Sequence, residues 1–408
     1  MFKSIKIKPS IFLSIYICIN IIIIIYQSFN KTPEPIHTIE SLNLTKFEVK
    51  KNIEELNKIL KNNPNSYNDY NTRGLLRNEL GDFNGAISDY NKALAINPKF
   101  SIAYFDRGII YYDHGNFKKA LSDYNQAISL DPKVETYYIH RALLYSDTDN
   151  IQRAIDDCTQ AIKINPLSSS GFIFRGQFNL DAKKYPNAIN DFTQALKLDD
   201  KFGPAYFNRA MAFIGDNKPE LALNDLNLAD KYEPNNTDTY KERAVLFVIA
   251  GQTDKALNDY NKILNLTPND WINLTNRAYV YYETGKYDKA LIDYNKALSL
   301  HPNDAVNLNS RGIVYLNLKK IDQAILDFNQ SLLLNPKKSS TYANRSMAYI
   351  YKGNYKKALA DISQAILLES NYPDNYDTRS KIREKLGDAK GSNSDYQMYL
   401  KLTKKINN

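Results

Sequence analysis

The chain has 408 residues, of which 43% are hydrophobic and 24% are charged, and its formal net charge is +8. This is the composition of an ordinary folded protein, and the excess of positive charge is too dilute to indicate a nucleic-acid surface. The chain has only two cysteines, Cys18 and Cys158, which excludes a disulfide-stabilised scaffold.

The first 30 residues predict a targeting segment. Lys3, Lys6 and Lys8 precede an almost continuous apolar run. We interpret residues 1–30 as a signal peptide or a signal anchor, with a transmembrane helix over residues 11–29. Because basic residues stay in the cytoplasm, the rest of the chain is expected outside it, anchored to the membrane. The alternative is a secreted or periplasmic protein released by signal cleavage.

A short linker and a partial repeat come next. Residues 31–43 contain Pro33 and Pro35 and are typical of a stiff linker. Residues 44–66, in which Pro64 follows an apolar-periodic stretch, resemble the second helix of a degenerate leading repeat.

From residue 67 to residue 406 the sequence repeats every 34 residues. Ten arginines follow this period without a gap: Arg73, Arg107, Arg141, Arg175, Arg209, Arg243, Arg277, Arg311, Arg345 and Arg379. So do ten aspartates: Asp89, Asp123, Asp157, Asp191, Asp225, Asp259, Asp293, Asp327, Asp361 and Asp395. These series define ten repeats: 67–100, 101–134, 135–168, 169–202, 203–236, 237–270, 271–304, 305–338, 339–372 and 373–406.

Each repeat predicts two amphipathic helices. In the repeat 101–134, Tyr104, Gly108 and Tyr111 share one face of a first helix, and a second helix follows a turn at Gly115. A proline closes the pair. No segment shows a sustained alternation with period two, so the predicted fold class is all-α.

The order of residues within a repeat identifies a family. An aromatic, small, aromatic, Ala, aromatic, Ala and Pro order runs through Tyr104, Gly108, Tyr111, Ala120, Tyr124, Ala127 and Pro132. This order resembles the tetratricopeptide repeat, and the resemblance covers residues 67–406. It implies a right-handed α-solenoid of about ten tandem 34-residue helix-turn-helix repeats, preceded by the apolar N-terminal helix. The sequence departs from the common pattern by placing Arg where Leu is usual.

The resemblance also implies a concave groove lined by the first helices. The groove residues that it assigns are Phe105, Ile109, Tyr112, Ile139, Leu143, Ile173, Phe207, Met211, Ile214, Val245, Val248, Tyr279, Tyr282, Ile313, Leu316, Met347 and Ile350. Because this strip is apolar and aromatic, we expect it to bind a partner protein or peptide.

The arginine and aspartate series predict a structural charge ladder. The two helices of a repeat run antiparallel, so Arg107 is expected to meet either Asp123 of its own repeat or Asp89 of the preceding one. Lys never replaces Arg and Glu never replaces Asp, as a planar fork on a short carboxylate would require. The alternative is solvated surface charge. We take as representative rungs Arg107, Asp123, Arg209, Asp225, Arg277 and Asp293.

The terminal repeats differ from the inner ones at one position. The position that holds Tyr111 in the second repeat holds Arg77 in the first and Arg383 in the tenth, as expected for polar outer faces. Asn179 is an internal exception.

No catalytic motif is present, and the four histidines lack metal-ligand spacing. We therefore predict a non-enzymatic interaction scaffold without cofactor, metal or nucleic acid, whose oligomeric state the sequence does not specify. The alternatives are a targeting or regulatory subunit of an enzyme complex and an RNA-binding solenoid.

Overall fold

The computed structural model describes residues 45–407, and all regular structure within that range is helical. In chain order the helices are α1 (Lys46–Asn62), α2 (Tyr67–Glu79), α3 (Phe83–Ile96), α4 (Ser101–Asp113), α5 (Phe117–Leu130), α6 (Glu135–Asp147), α7 (Ile151–Ile164), α8 (Ser169–Asp181), α9 (Tyr185–Leu198), α10 (Gly203–Gly215), α11 (Pro219–Tyr232), α12 (Thr237–Ile249), α13 (Thr253–Leu266), α14 (Trp271–Glu283), α15 (Tyr287–Leu300), α16 (Ala305–Asn317), α17 (Ile321–Leu334), α18 (Ser339–Tyr351), α19 (Tyr355–Leu368), α20 (Pro373–Lys385) and α21 (Ala389–Asn407).

The predicted N-terminal apolar helix and the linker 31–43 lie outside the described residues. Of the helices in the described range, none is long and apolar enough to cross a membrane.

Helix α1 occupies the place that the second helix of a preceding repeat would have, and it packs on α2. It begins with a capping box, in which the Glu48 backbone N–H donates to the Thr45 hydroxyl and the Thr45 N–H donates to the Glu48 carboxylate. Val49 and Leu60 are buried. The helix therefore contributes an apolar face to the first complete repeat.

Each later pair of helices is joined by a tight turn in the left-handed backbone region. In the second repeat Gly115 has φ 71°, and the Asn116 N–H donates to the Tyr111 carbonyl across the turn. Lys183 and Lys319 adopt the same conformation at the equivalent position, with φ of 57° and 60°. The turn geometry is thus conserved along the chain even where glycine is absent.

Small residues allow the two helices of a pair to approach closely. A Cβ atom added to Gly108 would lie 2.8 Å from the ring of Tyr124, so the ring occupies the space that a methyl group would need. Ala120 and Ala127 on the partner helix are fully buried. Close packing of rings against small residues forms the core of each repeat.

The chain divides into two compact units, residues 1–166 and residues 167–408. Their described parts contain α1–α7 and α8–α21. Neighbouring first helices contact one another directly in both units: α2 with α4 and α4 with α6 in the first, and α8 with α10, α14 with α16 and α16 with α18 in the second. The first helices therefore form the inner side of each unit. These findings confirm the predicted all-α chain of tandem helix pairs.

Candidate functional site: the charge ladder and the first-helix faces

Each ladder arginine grips the aspartate of its own repeat. The Arg107 Nε donates to Asp123 Oδ2 at 2.8 Å, and its Nη2 donates to Oδ1 at 2.7 Å. The same two-pronged contact recurs in all ten repeats, at 2.6–3.1 Å. Every ladder aspartate is at most 6% exposed. The structure thus places Arg107 against Asp123, the first of the two partners that the sequence left open, in a geometry typical of strong ion pairs.

The third arginine nitrogen reaches the preceding repeat. Arg107 Nη1 donates to Asn91 Oδ1 at 2.6 Å, and Arg209 Nη1 donates to Thr193 Oγ1 at 3.1 Å. The remaining acceptors of this type are Asn57, Asn125, Asn227, Asn261, Asn295 and Asn329. Each such arginine therefore ties its own hairpin to the one before it. Sequence analysis missed these residues, although an amide or hydroxyl residue two positions after each ladder aspartate is a visible signal.

Polar residues at the Tyr111 position add further donors to the ladder. Arg77 Nη1 donates to Asp89 Oδ2 at 2.8 Å, and Arg383 Nη1 donates to Asp395 Oδ2 at 2.9 Å. Asn179 Nδ2 donates to Asp191 Oδ2 at 3.0 Å. The internal exception thus has the same structural role as the two terminal arginines, because each brings one more N–H to the carboxylate of its repeat.

Fifteen of the seventeen predicted groove residues are half-buried, and two are fully enclosed. Phe105 is 2% exposed because its ring packs against Tyr137 and His140, with ring centroids 4.7 and 4.8 Å away. Ile139 is 0% exposed. The assignment of Phe105 and Ile139 to a groove surface is therefore corrected: both belong to the core.

The half-buried groove residues form a separate face in each unit. The face of the first unit consists of Ile109, Tyr112 and Leu143, and the Tyr112 hydroxyl donates to Asp147 Oδ2. The face of the second unit consists of Ile173, Phe207, Met211, Ile214, Val245, Val248, Tyr279, Tyr282, Ile313, Leu316, Met347 and Ile350. Burial, with the nearby Glu283 carboxylate, raises the pKa of Tyr279 to about 12. Its hydroxyl therefore stays protonated and serves as a hydrogen-bond donor.

Polar residues occupy the seam between neighbouring first helices. Asn71 Nδ2 donates to Asp106 Oδ2 at 3.0 Å, and at the equivalent positions Asn344 Nδ2 donates to Asn309 Oδ1 at 3.0 Å. Burial raises the pKa of Asp106 to about 7, although the Asn71 hydrogen bond opposes the shift, and burial also raises the pKa of Glu242 to about 7. Sequence analysis did not single out these carboxyls.

Over residues 45–407 no group of three or more His, Cys, Asp or Glu side chains is arranged to hold a metal ion. The structure instead contains two extended features. One is the buried charge ladder, which connects neighbouring repeats, and the other is an inner face of half-buried apolar side chains. Together with the fold, these features define a helical-repeat protein of the kind that binds other chains.

Models of the tetratricopeptide repeat match six segments of the sequence. They cover residues 74–115, 101–134, 135–166, 274–304, 293–325 and 339–372. The matched segments are tetratricopeptide repeats. The fold of the chain is that of a protein–protein interaction scaffold.

Several solved structures are similar to this chain. A tetratricopeptide repeat protein from Parabacteroides merdae ATCC 43184 is 20% identical, with a TM-score of 0.44, covering 61% of this chain and 98% of that one. YrrB, described as a TPR protein with an unusual peptide-binding site, is 21% identical, with a TM-score of 0.41 and coverage of 46% and 97%. The APC/C hetero-tetramer Cut9-Hcn1 is 16% identical, with a TM-score of 0.44 and coverage of 87% and 84%. No curated protein matches the sequence.

Proposed function

We propose that this protein is a non-enzymatic, membrane-anchored scaffold that holds a segment of another protein along its first helices. The guest lies in the concave groove of the right-handed α-solenoid that the repeats imply. One observation carries this proposal: the inner face of the second unit presents twelve apolar or aromatic side chains that its own packing leaves only half-buried.

The half-buried side chains supply a driving force for binding. Complete burial of an exposed large apolar side chain contributes roughly 1.5–3 kcal/mol, and a guest that covers a half-buried side chain gains the part of this that remains. Met211, Val248 and Tyr279 lie in three successive repeats of the same unit. A guest in extended form therefore meets a series of apolar contacts.

In-cell photocrosslinking tests this proposal. A photoreactive residue is placed at Phe207 or Tyr279 on the inner face, and at Ile292 as the control. Ile292 is apolar and 66% exposed but lies on the second helix α15. We expect one polypeptide to be captured from both inner positions and not from Ile292. Capture of only lipid or nucleic acid, or equal capture at Ile292, would contradict the proposal.

Binding of the captured polypeptide is then measured with purified protein. Met211→Asp places a charge in the inner face and should weaken the affinity about tenfold or more, from the loss of one buried side chain. Ile292→Asp is the matched control and should leave the affinity unchanged. A captured polypeptide that is itself an enzyme would favour the regulatory-subunit alternative.

The proposed location rests on residues 1–30, where Lys3, Lys6 and Lys8 precede the apolar run. Membrane fractionation and protease treatment test it. We expect the protein in the membrane fraction, with its repeats digested by protease that cannot enter the cytoplasm. Recovery of the full-length chain from the soluble cytoplasm would contradict the location without affecting the groove.

A further inference from the structure

Two buried carboxyls in residues 45–407 form no ion pair at salt-bridge distance. Twelve carboxyl side chains in that range are buried, and ten of them are the ladder aspartates, each paired with an arginine. The other two are Asp106, which is 7% exposed, and Glu242, which is 8% exposed. Both are the sixth residue of their repeat, and each lies in a different compact unit.

The Asp106 site contains more hydrogen-bond acceptors than donors. Asp106 accepts one hydrogen bond, from the Asn71 amide. The oxygen of the same amide group, Asn71 Oδ1, is buried and has no hydrogen-bond partner. Asn71 is itself 5% exposed. A buried acceptor beside a buried carboxyl is costly unless a donor approaches it.

The Glu242 site has the same deficit in the second unit. Glu242 Oε1 is buried and accepts no hydrogen bond. Lys241 directly precedes Glu242 in α12. Its positive charge lowers the pKa of Glu242, but burial raises that pKa by more. In this repeat position the side chain lies at the seam between first helices, as the Asn344–Asn309 contact shows for a later pair.

We infer that Asp106 and Glu242 are anchor points for cationic side chains, lysine or arginine, of the guest chain. The inference rests on the proposed groove function and specifies the chemistry of its guest. A lysine ammonium has three donors and an arginine fork has five, so one such group can supply the donors and the positive charge that the Asp106 carboxyl lacks. Charge complementarity excludes an acidic side chain at either site, because a second carboxylate would add repulsion to an already buried charge.

The ionisation of the two groups is consistent with this role. Burial raises the pKa of each carboxyl to about 7, so both the neutral and the ionised form are populated near neutral pH. An arriving cation favours the ionised form and lowers that pKa.

A positional-scanning peptide library tests the inference on the full chain. The probes are acetylated, amidated 10-residue peptides with a leucine and alanine background and a single Lys, Arg, Gln or Glu. We expect the wild-type protein to prefer Lys or Arg over Gln at a defined position by about tenfold, the value of one charged hydrogen bond. Asp106→Asn and Glu242→Gln should each reduce this preference, and the double variant should abolish it.

The controls separate the possible failures. Asn309→Ala alters the equivalent seam where no carboxyl is present, and it should leave the preference for cations intact. Urea unfolding of each variant verifies that it is folded. An unchanged preference in the double variant, or a preference for Glu in the wild type, would overturn the inference while leaving the groove function standing. Absence of binding by every apolar peptide would instead count against the proposed function itself.

Discussion

The ladder pair Arg209–Asp225 allows a quantitative test of whether the charge series stabilises the stack. Arg209 donates to both Asp225 oxygens, at 2.7 and 2.8 Å, and to Thr193 at 3.1 Å. The side chains are 17% and 5% exposed. Asp225→Ala leaves a mostly enclosed guanidinium without its partner, and Arg209→Met leaves the carboxylate alone. Each change should cost about 3 kcal/mol of unfolding free energy.

The double variant separates pairing from other effects. Because neither charge remains, the double variant should lose little more than one single variant, which gives a coupling energy of about 3 kcal/mol. The measurement is equilibrium urea unfolding followed by circular dichroism. The exposed pair Lys352–Asp322, with side chains 54% and 75% exposed, is the control and should show less than about 0.5 kcal/mol. A coupling at Arg209–Asp225 no larger than that of the control refutes the structural role.

Three further outcomes follow from single contacts. Asp106→Asn should stabilise the protein at pH 7, by up to about 4 kcal/mol for a pKa raised from 3.8 to about 7, and should flatten the stability profile between pH 4 and 7. The unfolded chain releases the Asp106 proton near pH 4, whereas the folded chain keeps it up to about pH 7. The wild type therefore loses unfolding free energy as the pH rises from 4 to 7. A wild-type stability profile without that loss would contradict the raised pKa of Asp106. Gly312→Ala should destabilise the repeat, since the new methyl would lie 2.6 Å from the Phe328 ring, and Phe328→Leu should restore thermal stability in the double variant. Asn261→Ala removes the acceptor of the Arg277 Nη1 hydrogen bond and should lower the unfolding free energy by about 1.5 kcal/mol; no change in urea midpoint would show that this bond contributes nothing.

The 34-residue period was sufficient to predict the helices because each period corresponds to one helical hairpin of fixed length. Arg107 and Asp123 lie sixteen residues apart in sequence and face each other across one hairpin, so their recurrence marks every turn. Side-chain exposure was less predictable. Phe105 and Phe207 hold the same position in their repeats, yet only Phe105 is enclosed, because Tyr137 and His140 of the next repeat cover it.

The buried seam was beyond local sequence patterns for the same reason. A helical period marks Asp106 as a polar residue between apolar ones and assigns it to the surface by default. Its burial and its contact with Asn71 arise from a neighbour 35 residues away. Contacts of this kind depend on how one repeat packs against the next. The sequence of a single repeat does not specify that packing.

The backward reach of the ladder arginines gives the molecule a direction. Each of these guanidinium groups finds its extra acceptor on the helix synthesised just before it, as Arg107 does on α3 and Arg73 does on α1 through Asn57. During synthesis the N-terminal part of a chain leaves the ribosome first. The acceptor for each new hairpin is therefore already synthesised when that hairpin emerges. Helix α1 provides the first such acceptor, Asn57, for the first complete hairpin.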